Sequence, residues 1–259
     1  MKIATWNVNS VKARSAHLTR WLARFKPDIV MLQEIKCQTE DFPILDVKAL
    51  GYEGVAFGQK AYNGVALLAT RPITEVMTGL PGDDGDVQAR YIEATVGDLR
   101  VASIYLPNGN PAPGDKYDYK LAWMERLTAL ARERLELEEP LILAGDFNAI
   151  PTPADVHDPE LWKDDALYLP ATRAKFRALT HLGLVDAVRA TSDEAGLYTF
   201  WDYQGNSFAK NNGIRIDHLL LSPRAADKLA QAGIDRPMRG GEKPSDHVPV
   251  WVDLELETR

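Results

Sequence analysis

Apolar residues along this chain fall into short runs that end on a carboxylate or an amide. Ile3-Ala4-Thr5-Trp6 stops at Asn7, Ile29-Val30-Met31-Leu32 at Gln33-Glu34, and Leu141-Ile142-Leu143-Ala144 at Gly145-Asp146-Phe147-Asn148. Runs of this length predict buried strands. Between the first two, Ser10 can cap a helix carrying Val11, Leu18, Trp21, Leu22 and Phe25 on one side, ended by Pro27, so the chain opens β-α-β. Residues 52–57, 65–70, 90–96 and 99–104 read as further strands, the last two joined at Gly97-Asp98 as a hairpin. Leu121, Met124, Leu127, Leu130 and Ala131 recur near helical spacing and predict a helix over 117–135. Another helix is expected over 172–182, and strands over 198–201, 214–221 and 248–254. Mixed parallel and antiparallel signals with few helices predict two packed sheets flanked by helices, not one doubly wound sheet. Residues 149–169, rich in Pro and Asp with little periodicity, are expected to form a loop that serves a site.

Ligands in α/β folds gather where strands end, so the repeated polar endings imply one shared site. Arg215-Ile216-Asp217-His218 and Ser245-Asp246-His247 add acids from near the C-terminus. Because these clusters run from Asn7 to His247, a division into independent domains would break the site, and residues 1–259 are expected to form one domain. At 259 residues, 45% of them hydrophobic, the chain can bury a sizeable core. The net charge of −7 argues weakly against a nucleic-acid partner, yet acids that hold a metal lower the total while one face stays positive. Cys37 is the only cysteine, which excludes an internal disulfide and a multi-cysteine zinc site; with no signal sequence or membrane span, a reducing cytoplasm is the expected location. With no coiled coil or interface stripe, a monomer is expected.

A site rich in acid and short of sulfur suits a hard divalent cation and a phosphoryl substrate. Phosphodiester hydrolysis then needs a metal, a group that orients or deprotonates water, and donors to the phosphate oxygens. Glu34, following an apolar strand, is a candidate magnesium ligand, although a sheet-edge acid would also stand there. Asp146 and Asn148, flanking Phe147, would face one pocket if strand geometry continued, the acid holding water and the amide donating to phosphate. Asp217 shares a face with Leu219 and Leu221 and must find a donor, for which His247 is the candidate; the imidazole would gain basicity and act as a cationic donor. Asn7 is otherwise a strand-end amide and Tyr105 a half-buried aromatic. His17, His157, His181 and His218 are expected on surfaces or helix faces.

Together these pieces resemble the exonuclease III family of the endonuclease/exonuclease/phosphatase superfamily, across almost the whole chain. The phrases are Thr5-Trp6-Asn7-Val8-Asn9, Leu32-Gln33-Glu34-Ile35-Lys36, Tyr105-Leu106-Pro107-Asn108-Gly109, Gly145-Asp146-Phe147-Asn148, Arg215-Ile216-Asp217 and Ser245-Asp246-His247. Tyr198-Thr199-Phe200-Trp201-Asp202-Tyr203 and Asn211-Asn212-Gly213-Ile214-Arg215-Ile216-Asp217 look like its DNA-repair branch. The resemblance implies a DNase I-like, four-layered α/β sandwich of two mixed β-sheets flanked by helices. It implies magnesium-dependent incision of double-stranded DNA 5′ to abasic sites, with 3′-5′ exonuclease or 3′-repair activity on blocked ends; manganese is expected to substitute. By family correspondence Glu34 binds metal, with Asn7 near it and Asp246 at the edge; Asp146 positions or deprotonates water; Asn148 and Tyr105 contact phosphate; and Asp217 orients His247. Whether Asp146 or His247 is the base stays open at this point. Phe200, Ile214 and Ile216 match the pocket for a base-less sugar, with Trp201 alongside, and Lys36, Lys60, Arg173, Lys210 and Arg239 are candidate phosphate contacts. The superfamily residues alone would equally serve RNA, a phosphoinositide or a phospholipid head group, and a DNA-binding module with a retired site is the third alternative.

Overall fold

The computed structural model describes residues 1–255. Its first half runs β1 (Lys2–Asn7), α1 (Ser15–Phe25), β2 (Ile29–Gln33), α2 (Ile44–Lys48), β3 (Glu53–Phe57), β4 (Val65–Ala69), β5 (Ile73–Thr78), β6 (Tyr91–Val96), β7 (Leu99–Tyr105) and α3 (Asp115–Glu136). The second half continues with β8 (Leu141–Asp146), α4 (Pro159–Trp162), α5 (Pro170–Thr180), β9 (Val185–Asp186), α6 (Ala187–Thr191) and α7 (Ser207–Lys210). It ends with β10 (Asp217–Leu221), α8 (Pro223–Ala226), β11 (Leu229–Ile234) and β12 (Val250–Leu254).

Two six-stranded sheets, ordered β11-β12-β1-β2-β4-β3 and β5-β6-β7-β8-β10-β9, pack face to face. Ile3, Met31, Val65 and Leu67 of one meet Ile92, Val101, Ile142 and Leu219 of the other. Their alternate neighbours point outward. Ala4, Trp6, Val30 and Leu32 pack under Leu18, Trp21 and Leu22 of α1, while Ala102, Ile104 and Leu143 pack under Trp123, Met124 and Leu127 of α3 and Phe176 of α5. The central strands are therefore covered on both faces, which explains their unbroken apolar runs. Four layers result, as expected.

Each sheet contains a parallel pair among antiparallel neighbours, β1 with β2 and β7 with β8. That arrangement brings two strand ends together at the same rim of each sheet.

Several expectations need correction. Helix α1 begins at Ser15, not after Ser10: Ser10 has φ 85° and its hydroxyl caps a turn, accepting from Ala13 N–H at 3.3 Å. At the other end Lys26 adopts φ 51° and closes the helix before Pro27. Residues 198–201 form no strand. Phe200 bridges Ile214 on one side and His247 on the other, so no ladder propagates from it, and β10 starts only at Asp217. His218 is fully buried, bonded to Arg215 and to Ala149 O, rather than on the surface.

Candidate active site

Register places the polar endings side by side. Asn7 pairs with Gln33 across β1 and β2, and Asp146 pairs with Tyr105 on one side and Asp217 on the other. Immediately beyond the strands the backbone turns sharply, with φ 49° at Glu34 and 42° at Asn148, conformations uncommon for residues with a Cβ. Gly145 lies against β7 so closely that a Cβ would collide with the Ile104 carbonyl. Glycine is what lets Asp146 reach the rim.

Asn7, fully buried, joins the two sheets. Its Nδ2 donates to Glu34 Oε1 at 2.8 Å and Asp146 Oδ2 at 3.0 Å, and its Oδ1 accepts from Asn9 N–H at 3.0 Å, which fixes the amide's orientation. Burial tends to raise Glu34, but Lys36 at 2.8 Å, Asn7 and His247 hold its carboxyl below the ordinary range. Burial raises Asp146 above that range, with Asp217 and Glu34 adding to the rise and His247 and the Asn148 N–H opposing it.

Beside this pair stands His247. Its Nδ1 donates to Asp217 Oδ2 at 2.8 Å, and the Thr199 hydroxyl donates to the same oxygen at 2.6 Å. Burial alone would lower the imidazole, but Asp217 and Asp146 together raise it to about 10. The ring is thus a cation at neutral pH with its second nitrogen, Nε2, turned inward, 3.7 Å from Asp146 Oδ2. Tyr105 keeps its phenolic proton, because burial and the carboxylates of Glu34 and Asp146 push it well above its ordinary value.

Asp146 and Asn148 do meet, though not by strand alternation. Asn148 N–H donates to Asp146 Oδ1 at 2.9 Å in a tight turn, while its side-chain Nδ2 donates to Leu106 O at 2.9 Å. Glu34, Tyr105, Asp146, Asn148, Asp246 and His247 all line one cavity of about 210 Å³, walled on its apolar side by Phe200, Ile216, Trp162 and Leu167. One oxygen or nitrogen from each of Glu34, Asp146 and His247 lies within 4.8 Å of the others. With His247 protonated, the donors left for a cation are carboxylate oxygens, a set that fits a hard divalent ion.

The geometry has close counterparts. The family profile for endonuclease/exonuclease/phosphatase proteins matches residues 4–247. The chain belongs to this family. An exodeoxyribonuclease III of Haemophilus influenzae is 33% identical over 98% of the chain and 100% of its own length. Among solved structures, a Neisseria 3′ phosphatase bound to a product DNA hairpin superposes with a TM-score of 0.97 at 39% identity, covering 99% of this chain and 100% of that one. An AP endonuclease from Archaeoglobus fulgidus gives 0.96 at 33% identity, with coverage of 99% and 100%.

Not every residue expected from the exonuclease III resemblance reaches the cavity. Trp201 is fully buried, packed on Tyr198 and Phe208, and is a core residue. Ile214 supports the wall from behind, packed with Phe200 and Ile216. Arg239 is buried, donates to Trp201 O at 3.1 Å, stacks over Tyr203 at 5.0 Å and does not line the cavity. Arg173 stacks over Tyr168, Lys36 is bonded to Glu34 and Asn9, and Lys60 and Lys210 are exposed away from the cavity lining. Asn7 approaches the carboxylates through N–H and orients them in this arrangement. Sequence reasoning missed Thr199, Asn108, Trp162 and Leu167. The last two sit on the 149–169 loop, whose low periodicity marked the region without marking the residues.

Proposed function

We propose that this family member is a magnesium-dependent DNA-repair phosphodiesterase that incises the backbone 5′ to abasic sites and processes 3′ ends. The observation that carries the reading is Asp146 held between Asn7 and a protonated His247 at the mouth of a small pocket walled by Phe200 and Ile216. Relatives named as exodeoxyribonuclease III, AP endonuclease and 3′ phosphatase support it.

Glu34, with Asp246 on the rim, would hold the cation; Mg²⁺ suits these oxygens, and Mn²⁺ would substitute. When bound, the metal neutralises charge on the scissile phosphate. His247 donates to a phosphate oxygen through its Nε2 proton, and Asp217, bonded to Nδ1, keeps that imidazole oriented. A ring already protonated cannot accept a proton from water, so Asp146 is the base, and its raised pKa suits that task near neutrality. Asn148 and Tyr105, still carrying its phenolic proton, supply further donors to phosphate. The apolar wall admits a sugar without a base, and a nucleotide that stacks on nothing is cheaper to extrude. Lys36, Arg173 and Lys210 would meet flanking phosphates. The reading takes the chain as one domain acting as a monomer on duplex DNA, in the cytoplasm and at the nucleoid. No helix among the described residues is long and apolar enough to cross a membrane.

The test is incubation with an abasic duplex, a 3′-phosphate duplex and a matched intact duplex, in Mg²⁺, Mn²⁺ or chelator. Metal-dependent nicking beside the lesion is expected. Turnover of RNA or a phosphoinositide far above that of DNA would overturn the reading.

A further inference from the structure

Lys120 lies on the apolar face of α3 in line with Trp123, Met124 and Leu127, and is completely buried. Burying an ammonium is costly unless its donors are met, and an apolar residue would fill the same space more cheaply. Among the described residues Lys120 forms no ion pair within bonding distance. Its Nζ donates instead to two main-chain carbonyls, Asn108 O at 3.0 Å and Asn148 O at 2.6 Å. The chain also makes room for it: Gly109, at φ +89°, would place a Cβ 2.6 Å from Lys120 Cδ.

Both carbonyls belong to cavity-lining residues. Asn148 is held in the left-handed region, and only in that conformation do its N–H and C=O point as they do, the N–H to Asp146 Oδ1 at 2.9 Å and the carbonyl to Lys120. Asn108 Nδ2 completes the unit by donating to Asn148 Oδ1 at 3.2 Å. One ammonium therefore ties the loop after β7 to the loop after β8, directly beneath the proposed base.

We infer that Lys120 is a positioning residue, whose ammonium locks Asn148 in its left-handed turn and so aims Asp146 at the water and the Asn148 amide at phosphate. The inference rests on the phosphodiesterase reading above. Burial lowers the lysine to about 7 against the opposing pull of Asp146 and Asp165, a cost consistent with a group retained for alignment.

Lys120→Met keeps an unbranched side chain, one atom shorter, and removes the donors. In the full-length protein with Mg²⁺ and an abasic duplex, kcat is expected to fall about 10- to 100-fold, the range for small misalignments of reacting groups, with KM for DNA and thermal midpoint little changed. A second readout needs no catalysis: in metal-free protein the Asn148 amide proton, bonded to a carboxylate in the parent, should shift upfield in Lys120→Met. Parental kcat with an unmoved amide signal overturns the inference. So does a fall in kcat accompanied by an equal loss of thermal stability and a risen KM, which would mark a merely structural lysine. A parent that cuts no DNA would reject the phosphodiesterase reading, while the amide shift would still decide whether Lys120 positions Asn148.

Discussion

Asp146 and His247 stand 3.7 Å apart with opposite assignments, and each assignment is separately testable. Asp146→Asn keeps the shape and one of the two bonds the carboxylate accepts, from Asn7 or from the Asn148 N–H, but cannot take a proton. Cleavage of an abasic duplex should fall by about 10²- to 10⁴-fold, the usual worth of a general base, with DNA affinity retained in gel-shift titrations. For His247 the protonation state itself is the prediction. Its pKa rises from 6.5 to about 10 on folding. A raised pKa contributes stability that is fully present below the unfolded value and is lost as pH climbs through the folded one. Urea unfolding of metal-free protein should therefore show the parent's advantage over His247→Gln shrinking between about pH 6.5 and 10. A constant difference would contradict a cationic His247. Asp146 was legible in the sequence because it ends an apolar run, and His247 because Asp217, on a buried strand face, needs a donor. His218 was not, since its burial depends on Arg215 and the Ala149 carbonyl, contacts that no local pattern announces.

Strands and helices were legible in proportion to how deeply they are buried. β1, β2 and β8 are covered on both faces and read as continuous apolar runs; β5, β9 and β11, at or beside sheet edges with exposed or half-buried residues, gave no such signal. What the runs could not reveal is how the two sheets are held in register beneath the site. Gln33, the last residue of β2, reaches across the sandwich. Its Nε2 donates to Ser103 Oγ of β7 at 2.9 Å and to Thr5 Oγ1 of β1 at 2.9 Å, and Ser103 Oγ donates back to Leu32 O at 2.9 Å. These are buried polar groups in an otherwise apolar interface, next to Glu34 on one sheet and two residues before Tyr105 on the other. Gln33→Leu fills the space but removes the donor to the Thr5 and Ser103 hydroxyl oxygens, which keep only their own bonds to the Met31 and Leu32 carbonyls. A loss of about 1–3 kcal/mol is expected from leaving such partners unmet, read as a lower urea midpoint, together with slower cleavage. Unchanged stability and rate would show that apolar packing alone sets the register.

Across the whole molecule, the 149–169 loop supplies Trp162 and Leu167 to the cavity wall, yet it has little regular structure of its own to hold it. A buried ionic network does so. Asp155, in the loop, accepts from Arg215 Nε at 2.7 Å and from Thr152, and also bonds Arg189 of α6; Arg215 Nη1 donates to Asp186 at 2.7 Å and meets His218 Nδ1 at 3.0 Å. Arg215 sits two residues before Asp217, so the network anchors the loop to the strand that orients His247. Burial works to raise both acids, but Arg215 heads the charges and bonds that hold Asp155 below its ordinary value and Asp186 far below. Depressed carboxyl pKa values add stability above the unfolded value and lose it as pH falls through the folded one. The parent should hold its unfolding free energy down to about pH 4, the unfolded carboxyl range, and lose it below. Asp155→Asn removes one charge of the network and leaves Arg215 undercompensated in the core. It should cost about 3–5 kcal/mol at neutral pH, the scale for breaking a buried pair, and flatten the acid limb of a urea-unfolding series. Because the same loop walls the pocket, the variant should also discriminate less between abasic and intact duplex. Parental stability at neutral pH would mean that the loop is held by its apolar contacts, with the buried charges contributing nothing to the pocket.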